Sequence, residues 1–218
     1  MTLANEDLTL GDAAAVTPLT FRCTGCGNCC RSLRVAVTSF DVARLAAATS
    51  SSPHELVAWL APDAVDMTGE PESFVELAEG RRLLVLAQRG GACQLLGADN
   101  LCGAYAARPR DCRAFPFDFV AQTRDPERRQ LTLLPLSDCD YARDGQNQVA
   151  LLEAEDRARW AELARYQALV ARWNRQAWHR RRLHKRVHGA QQFLDFALAA
   201  SPLARGATDA SRTVNNDV

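Results

Sequence analysis

The chain has 218 residues, 47% of them hydrophobic, and its formal net charge is zero. That length carries a core without disulfides, and charge neutrality removes any global attraction to nucleic acid or to a membrane surface. No apolar run reaches the roughly 20 residues a bilayer demands, and the acidic residues 1–7 lack the basic and apolar regions of a secretory signal, so the sequence reads as a soluble cytoplasmic protein with no membrane partner.

In chain order, residues 1–18 read as a flexible, polar N-terminus and residues 19–145 as a cysteine-cluster, metal-binding domain. Residues 146–200 read as a helical region and 201–218 as a disordered tail. Within the second segment, Ser39-Phe40-Asp41 starts a short helix running to Ala46. A second helix is expected after Ser52, with Pro53 at its first position and Leu56, Val57, Trp59 and Leu60 on one face. Residues 62–73 hold two prolines and a glycine and read as loop. Phe74–Leu77 and Arg81–Leu86 flank Glu79-Gly80 as a β-hairpin. Gly97-Ala98-Asp99-Asn100 reads as a turn between Gln94–Leu96 and Leu101, and Leu131–Leu134 as a strand. From Val149, apolar residues at Leu152, Trp160, Leu163, Tyr166, Val170, Trp173 and Ala177 give a long amphipathic helix stopped by Gly189. Another helix follows over 191–199. The fold class is α+β, with an irregular cysteine-rich metal-binding core, a small antiparallel sheet and C-terminal helices.

The eight cysteines carry the chemistry. Cys23, Cys26, Cys29 and Cys30 fall within eight residues, and Cys93, Cys102, Cys112 and Cys139 follow. Four thiols on a polar, Gly-rich loop are not explained by packing, and in a reducing compartment they favour metal over disulfides. The C-x2-C-x2-C spacing of Cys23, Cys26 and Cys29 is the one bacterial ferredoxins use around an iron–sulfur cubane. Gly25 and Gly27 suit the sharp turns such a loop needs. The usual fourth Cys followed by Pro is missing, so a fourth ligand would come from Cys93, Cys102, Cys112 or Cys139. Cys29 and Cys30 are adjacent, and their side chains are expected to diverge, which disfavours both as ordinary ligands of one ion. Eight thiols make two four-cysteine sites, or one cluster with spare cysteines. Zinc is the alternative, but its structural sites pair two short knuckles, and Cys93, Cys102 and Cys112 are spaced nine and ten apart.

The stretch Phe21–Cys30, F-R-C-T-G-C-G-N-C-C, and the stretch Cys102–Pro116, C-G-A-Y-A-A-R-P-R-D-C-R-A-F-P, resemble the CxxCxxCC, or YkgJ-like, family of zinc- or iron-chelating proteins. Ala104 departs from the larger apolar residue usual there. The resemblance covers roughly residues 20–120. A relative in that family, the flagellin lysine N-methylase, is similar to iron–sulfur proteins that use S-adenosylmethionine. The resemblance therefore implies a metal, an iron–sulfur cluster (4Fe–4S) ahead of zinc. Cys23, Cys26 and Cys29 are the expected ligands, Cys93, Cys102 and Cys112 complete the cage, and Cys30 and Cys139 are further candidates. It implies cofactor-facing roles for Arg108, Arg113, Tyr105 and Phe115, with Pro109 and Pro116 fixing the turns that present Cys112. No Gly-rich nucleotide loop independently indicates an S-adenosylmethionine site.

Other features stay in the background. All but one of the 26 basic residues are arginine, Lys185 being the exception, so arginine here is first a compositional bias. Residues 172–188 hold seven Arg or Lys and no acid, with Trp173 and Trp178 interleaved. The plainer reading is the solvated face of a helix, and a nucleic-acid partner is not expected. His179, His184 and His188 do not share one helical face at 100° per residue. The functional expectation is an iron–sulfur protein with a redox or cluster-dependent role and an unidentified redox or protein partner. The alternative is a zinc-stabilised binding module using the basic helix.

Overall fold

The computed structural model describes residues 21–65, 71–122, 125–133, 141–142, 144–145 and 149–201. The fold is α+β, built from short antiparallel sheets and one long helix. Thr38 caps helix α2 (Ser39–Thr49), which follows the five-residue helix α1 (Asn28–Ser32). The Thr38 hydroxyl accepts from the Asp41 amide at 3.2 Å, and the Asp41 carboxylate accepts from the Thr38 amide at 2.9 Å. This reciprocal pairing satisfies two donors that a helix start would otherwise leave open. The expected start of this helix is confirmed, with its cap one residue earlier.

The second expected helix is instead a strand. Residues 52–56 turn back on themselves, with Glu55 N–H donating to Ser52 O and Leu56 N–H to Pro53 O. Val57–Leu60 then forms β1. The apolar spacing that suggests a helix face also suits a short strand half-buried on both sides. Pairing decides the matter: β1 runs antiparallel to β3 (Gly80–Leu86), with Val57 opposite Leu86 and Leu60 opposite Leu83.

The hairpin is as read. β2 (Val75–Leu77) pairs with β3 from Val75 opposite Arg82 to Leu77 opposite Gly80, giving the sheet order β1-β3-β2. Gly80 closes it at φ +100°, a conformation that costs glycine little. Side chains of β3 alternate between two cores. Leu84 and Leu86 join the main one, while Leu83 and Val85 pack with Phe74 beneath the other face. Two shorter ladders follow, β4 (Gln88–Arg89) with β5 (Ala92–Cys93) and β6 (Phe117–Gln122) with β7 (Asp125–Leu133). Between them lies helix α3 (Arg110–Ala114). The strand expected at 131–134 is the end of β7, and Leu134 lies outside the described residues.

Helix α4 runs over Val149–Arg182 and α5 over Ala190–Ala199. Tyr166, Val170, Trp173 and Ala177 are buried on α4 as the periodicity predicts, whereas Trp160 is exposed. Gly189 does not stop α4. The helix ends seven residues earlier, and Gly189 precedes α5, where its N–H donates to the Gln192 side chain at 3.0 Å. His184 lies beyond the helix end at φ +53°, so His184 and His188, four residues apart, share no helical face. Ser201, at the start of the expected tail, is buried, and its hydroxyl reaches the Ser39 hydroxyl at 2.7 Å.

The main core joins the cysteine-bearing half to the helices. Phe193 is fully buried, with its ring 5.8 Å from Trp59, 6.3 Å from Tyr166 and 5.3 Å from Trp173, all edge-on. Helix α4 also seals the free edge of β2. Asn174 accepts from Glu76 N–H at 2.8 Å and donates to Phe74 O at 2.9 Å. Trp173 Nε1 donates to Glu76 O at 3.0 Å, and Arg181 donates to Leu77 O at 3.0 Å. These bonds occupy backbone groups that an exposed edge would leave open.

Candidate metal centre

Three chain segments bring the thiols together. The first is the loop 23–30, which turns through Gly25 at φ +70° and Gly27 at φ +71°. A Cβ on Gly27 would stand 3.3 Å from Asn100 O and 3.3 Å from the Leu96 side chain, so this loop lies directly on the 97–101 turn. The turn is the expected one: Gly97 N–H donates to Leu101 O at 2.8 Å, and Leu96 bridges Cys102. Arg31 clamps the two segments, donating to Cys26 O at 3.1 Å and to the Asn100 side chain. The third segment is α3, which begins after the buried Pro109 and carries Cys112.

Cys23, Cys29, Cys30, Cys93, Cys102 and Cys112 line one cavity of about 380 Å³. Cys26 is half-buried in the same loop but is not in the lining, and Cys139 lies outside the described residues. All seven described cysteines are free thiols. Among the described residues, no three Cys, His, Asp or Glu side chains are close enough to enclose a single ion. Gly25 N–H donates to Cys23 Sγ at 3.4 Å, a contact of the kind that stabilises thiolate charge.

Cys29 and Cys30 do not diverge as expected. The Cys30 thiol donates to Cys29, and this bond is the largest cause of a Cys29 pKa lowered to about 6. The Arg108 charge adds to it, against the opposing effect of burial. The same bond pushes Cys30 up, because losing its proton breaks the contact. Burial, reinforced by neighbouring thiols, raises Cys93 and Cys112. Opposite shifts on two adjoining thiols are the behaviour of sulfurs crowded into one partly buried site. Adjacency in sequence fails as a guide here because α1 places both side chains on the cavity.

Tyr105, Arg108 and Phe115 line the same cavity. The Arg108 guanidinium lies 3.8 Å from the Tyr105 ring centre and donates to Tyr105 O at 3.2 Å and Cys112 O at 3.4 Å. Arg113 is not in the lining. It donates to Arg108 O at 3.0 Å and to Ala106 O at 2.5 Å, holding the backbone that carries Arg108.

An ionic frame absent from the sequence reading fixes α3. Arg110 N–H donates to the buried Asp41 at 3.0 Å, while its guanidinium meets Glu155 at 2.6 Å and Glu162 at 3.6 Å. Arg44 joins Glu162 at 2.6 Å and also pairs with Asp41. Arg159 meets Asp111 and Asp118, each at 3.5 Å. Burial alone would raise the Glu162 carboxyl, but hydrogen bonds from Arg44 and Thr38 and the Arg44 and Arg110 charges hold it below the usual range. Nothing in the spacing of these residues marks them. They face each other only once α2, α3 and α4 are packed.

The donor set fits soft metal. Six sulfurs from three segments share one cavity, and thiolates are the ligands that select zinc and iron–sulfur clusters. The basic stretch 172–188 and the three histidines lie elsewhere. Arg181 is paired with Glu76 at 2.6 Å, His188 packs on Trp173, and His179 lies against Trp178.

Fold and donors together define a thiol-lined metal-binding protein. The chain belongs to the CxxCxxCC family, described as "Putative zinc- or iron-chelating domain", which matches residues 22–135. No curated protein and no solved structure matches the chain. Among the described residues no helix is long and apolar enough to cross a membrane.

Proposed function

We propose that the protein holds an iron–sulfur cluster in the 380 Å³ cavity and uses it in redox or cluster-dependent chemistry. The observation that carries this reading is the gathering of six thiols around one space wider than a single ion needs. Cys23, Cys29, Cys93, Cys102 and Cys112 are the leading ligands, with Cys26 and Cys30 available from the same loop. When bound, such a cluster supplies one-electron transfer. The chain's own residues shape the site. Arg108 places positive charge beside Cys29, Tyr105 and Phe115 lower the local polarity, and Arg113 holds the Arg108 backbone.

A zinc-stabilised binding module is the second reading, favoured by the exposed Trp178 and Leu183 within the basic segment. Iron, zinc and acid-labile sulfide in anaerobically purified protein, with its visible spectrum, separate the two. Iron and sulfide in comparable amounts with a coloured protein are expected. Stoichiometric zinc without sulfide in a colourless protein would overturn the cluster reading.

A further inference from the structure

We propose that the same cavity takes a small organic anion, a carboxylate on an apolar body, whose charge is held by Arg34. This deepens the metal-centre reading by naming a ligand class, and it rests on that reading for the metal beside the ligand.

The lining of the cavity suits such a ligand. A metal site that serves only folding closes around its ion. Here the thiols share a cavity of about 380 Å³ with Leu33, Val35, Leu86, Leu95 and Leu101, an apolar wall that offers a metal no donor. Pockets of a few hundred Å³, mostly apolar and with few polar groups, are the usual form of small-molecule sites. A bare inorganic anion would leave this apolar surface uncovered.

The cavity wall also carries an uncommitted cation. Three arginines line the cavity. Arg108 is committed to two backbone carbonyls and the Tyr105 ring. Arg159 is neutralised by Asp111, Asp118 and Asp156. Arg34 is exposed on the cavity and has no hydrogen bond or ion pair among the described residues. Its planar fork matches a carboxylate through two parallel bonds. A carboxylate at Arg34 directs its hydrocarbon part toward Leu33, Val35 and the thiol-lined interior.

The test uses the metal-loaded full chain with hexanoate as probe and hexanamide as its uncharged counterpart. Calorimetry reads binding, and metal content is measured in the same samples. Hexanoate is expected to bind at least about tenfold tighter than hexanamide. Arg34→Gln should remove that preference with metal content unchanged, and Arg34→Lys should keep part of it. Because Arg34 has no partner among the described residues, these variants should fold as the parent does. Equal binding of acid and amide, absence of hexanoate binding, or unchanged hexanoate binding in Arg34→Gln would overturn the proposal. Metal-loaded protein blind to hexanoate sinks the anion site and leaves the metal centre intact. Protein that takes up neither iron nor zinc on anaerobic reconstitution yet still binds hexanoate through Arg34 sinks the metal centre and leaves the anion site standing.

Discussion

Glu162→Gln tests whether the ionic frame positions the metal-bearing helix. Glu162 is 8% exposed and accepts from Arg44 at 2.6 and 2.8 Å and from Thr38 at 3.2 Å, with Arg110 Nε 3.6 Å away. Glutamine keeps the shape but turns one acceptor into a donor facing a guanidinium. Breaking a fully buried pair costs about 3–5 kcal/mol. The Arg44 and Arg110 side chains are 23% and 25% exposed, and Asp41 and Glu155 remain as partners, so water and those carboxylates recover part of it. A loss of about 2 kcal/mol is expected in urea unfolding at pH 7, with an unchanged denaturant slope. The sign with pH follows from the depressed Glu162 pKa. Its contribution is complete above the unfolded glutamate value of about 4.3 and fades as pH falls through the folded one. The gap between parent and variant should therefore be flat near neutrality and close in acid. A loss below about 0.5 kcal/mol, or a gap indifferent to acid, would refute the reasoning. Combined with Arg44→Met, the two changes should couple by about 1–2 kcal/mol.

Other expectations concern the site and the sheet edge. Cys112→Ser and Cys93→Ser should each lower metal content in folded protein, as judged by metal analysis beside circular dichroism; full loading in both would remove these thiols from the ligand set. Gly27→Ala forces a side chain into a left-handed backbone against Asn100 O, and should cost about 1–2 kcal/mol and speed metal loss to a chelator. An unchanged release rate would separate loop geometry from metal retention. Asn174→Ala removes two bonds to the β2 edge and should destabilise by about 2 kcal/mol in denaturant unfolding; a neutral result would show that water replaces both.

The legible parts of this fold were those set by local chemistry. Ser39 to Asp41 mark a helix start, Glu79-Gly80 a hairpin, and Gly97 to Asn100 a turn, because each is decided within a few residues. The buried face of α4 around Tyr166, Val170 and Trp173 followed from periodicity alone. β1 was misread because Leu56, Val57, Trp59 and Leu60 satisfy a helical spacing, and only the distant β3 makes a strand the better burial. The end of α4 at Arg182 carries no glycine or proline to announce it. The sequence motifs named the thiols, and the fold gathers six of them. Those motifs do not reveal that α1 turns Cys29 and Cys30 onto one cavity. Arg34, Arg110 and Glu162 acquire meaning only from packing across separate elements.

Family kinship and thermodynamic autonomy have different boundaries in this chain. The shared segment stops at residue 135, yet the helix that seals β2 begins at Val149. A fragment cut to the matched length would keep the described thiols and discard Tyr166, Trp173 and Phe193, which complete the core. It would also present β2 as a bare template to which another strand can add. Such a fragment should self-associate, and its failure to load metal would report misfolding, with no bearing on the coordination chemistry of the intact protein.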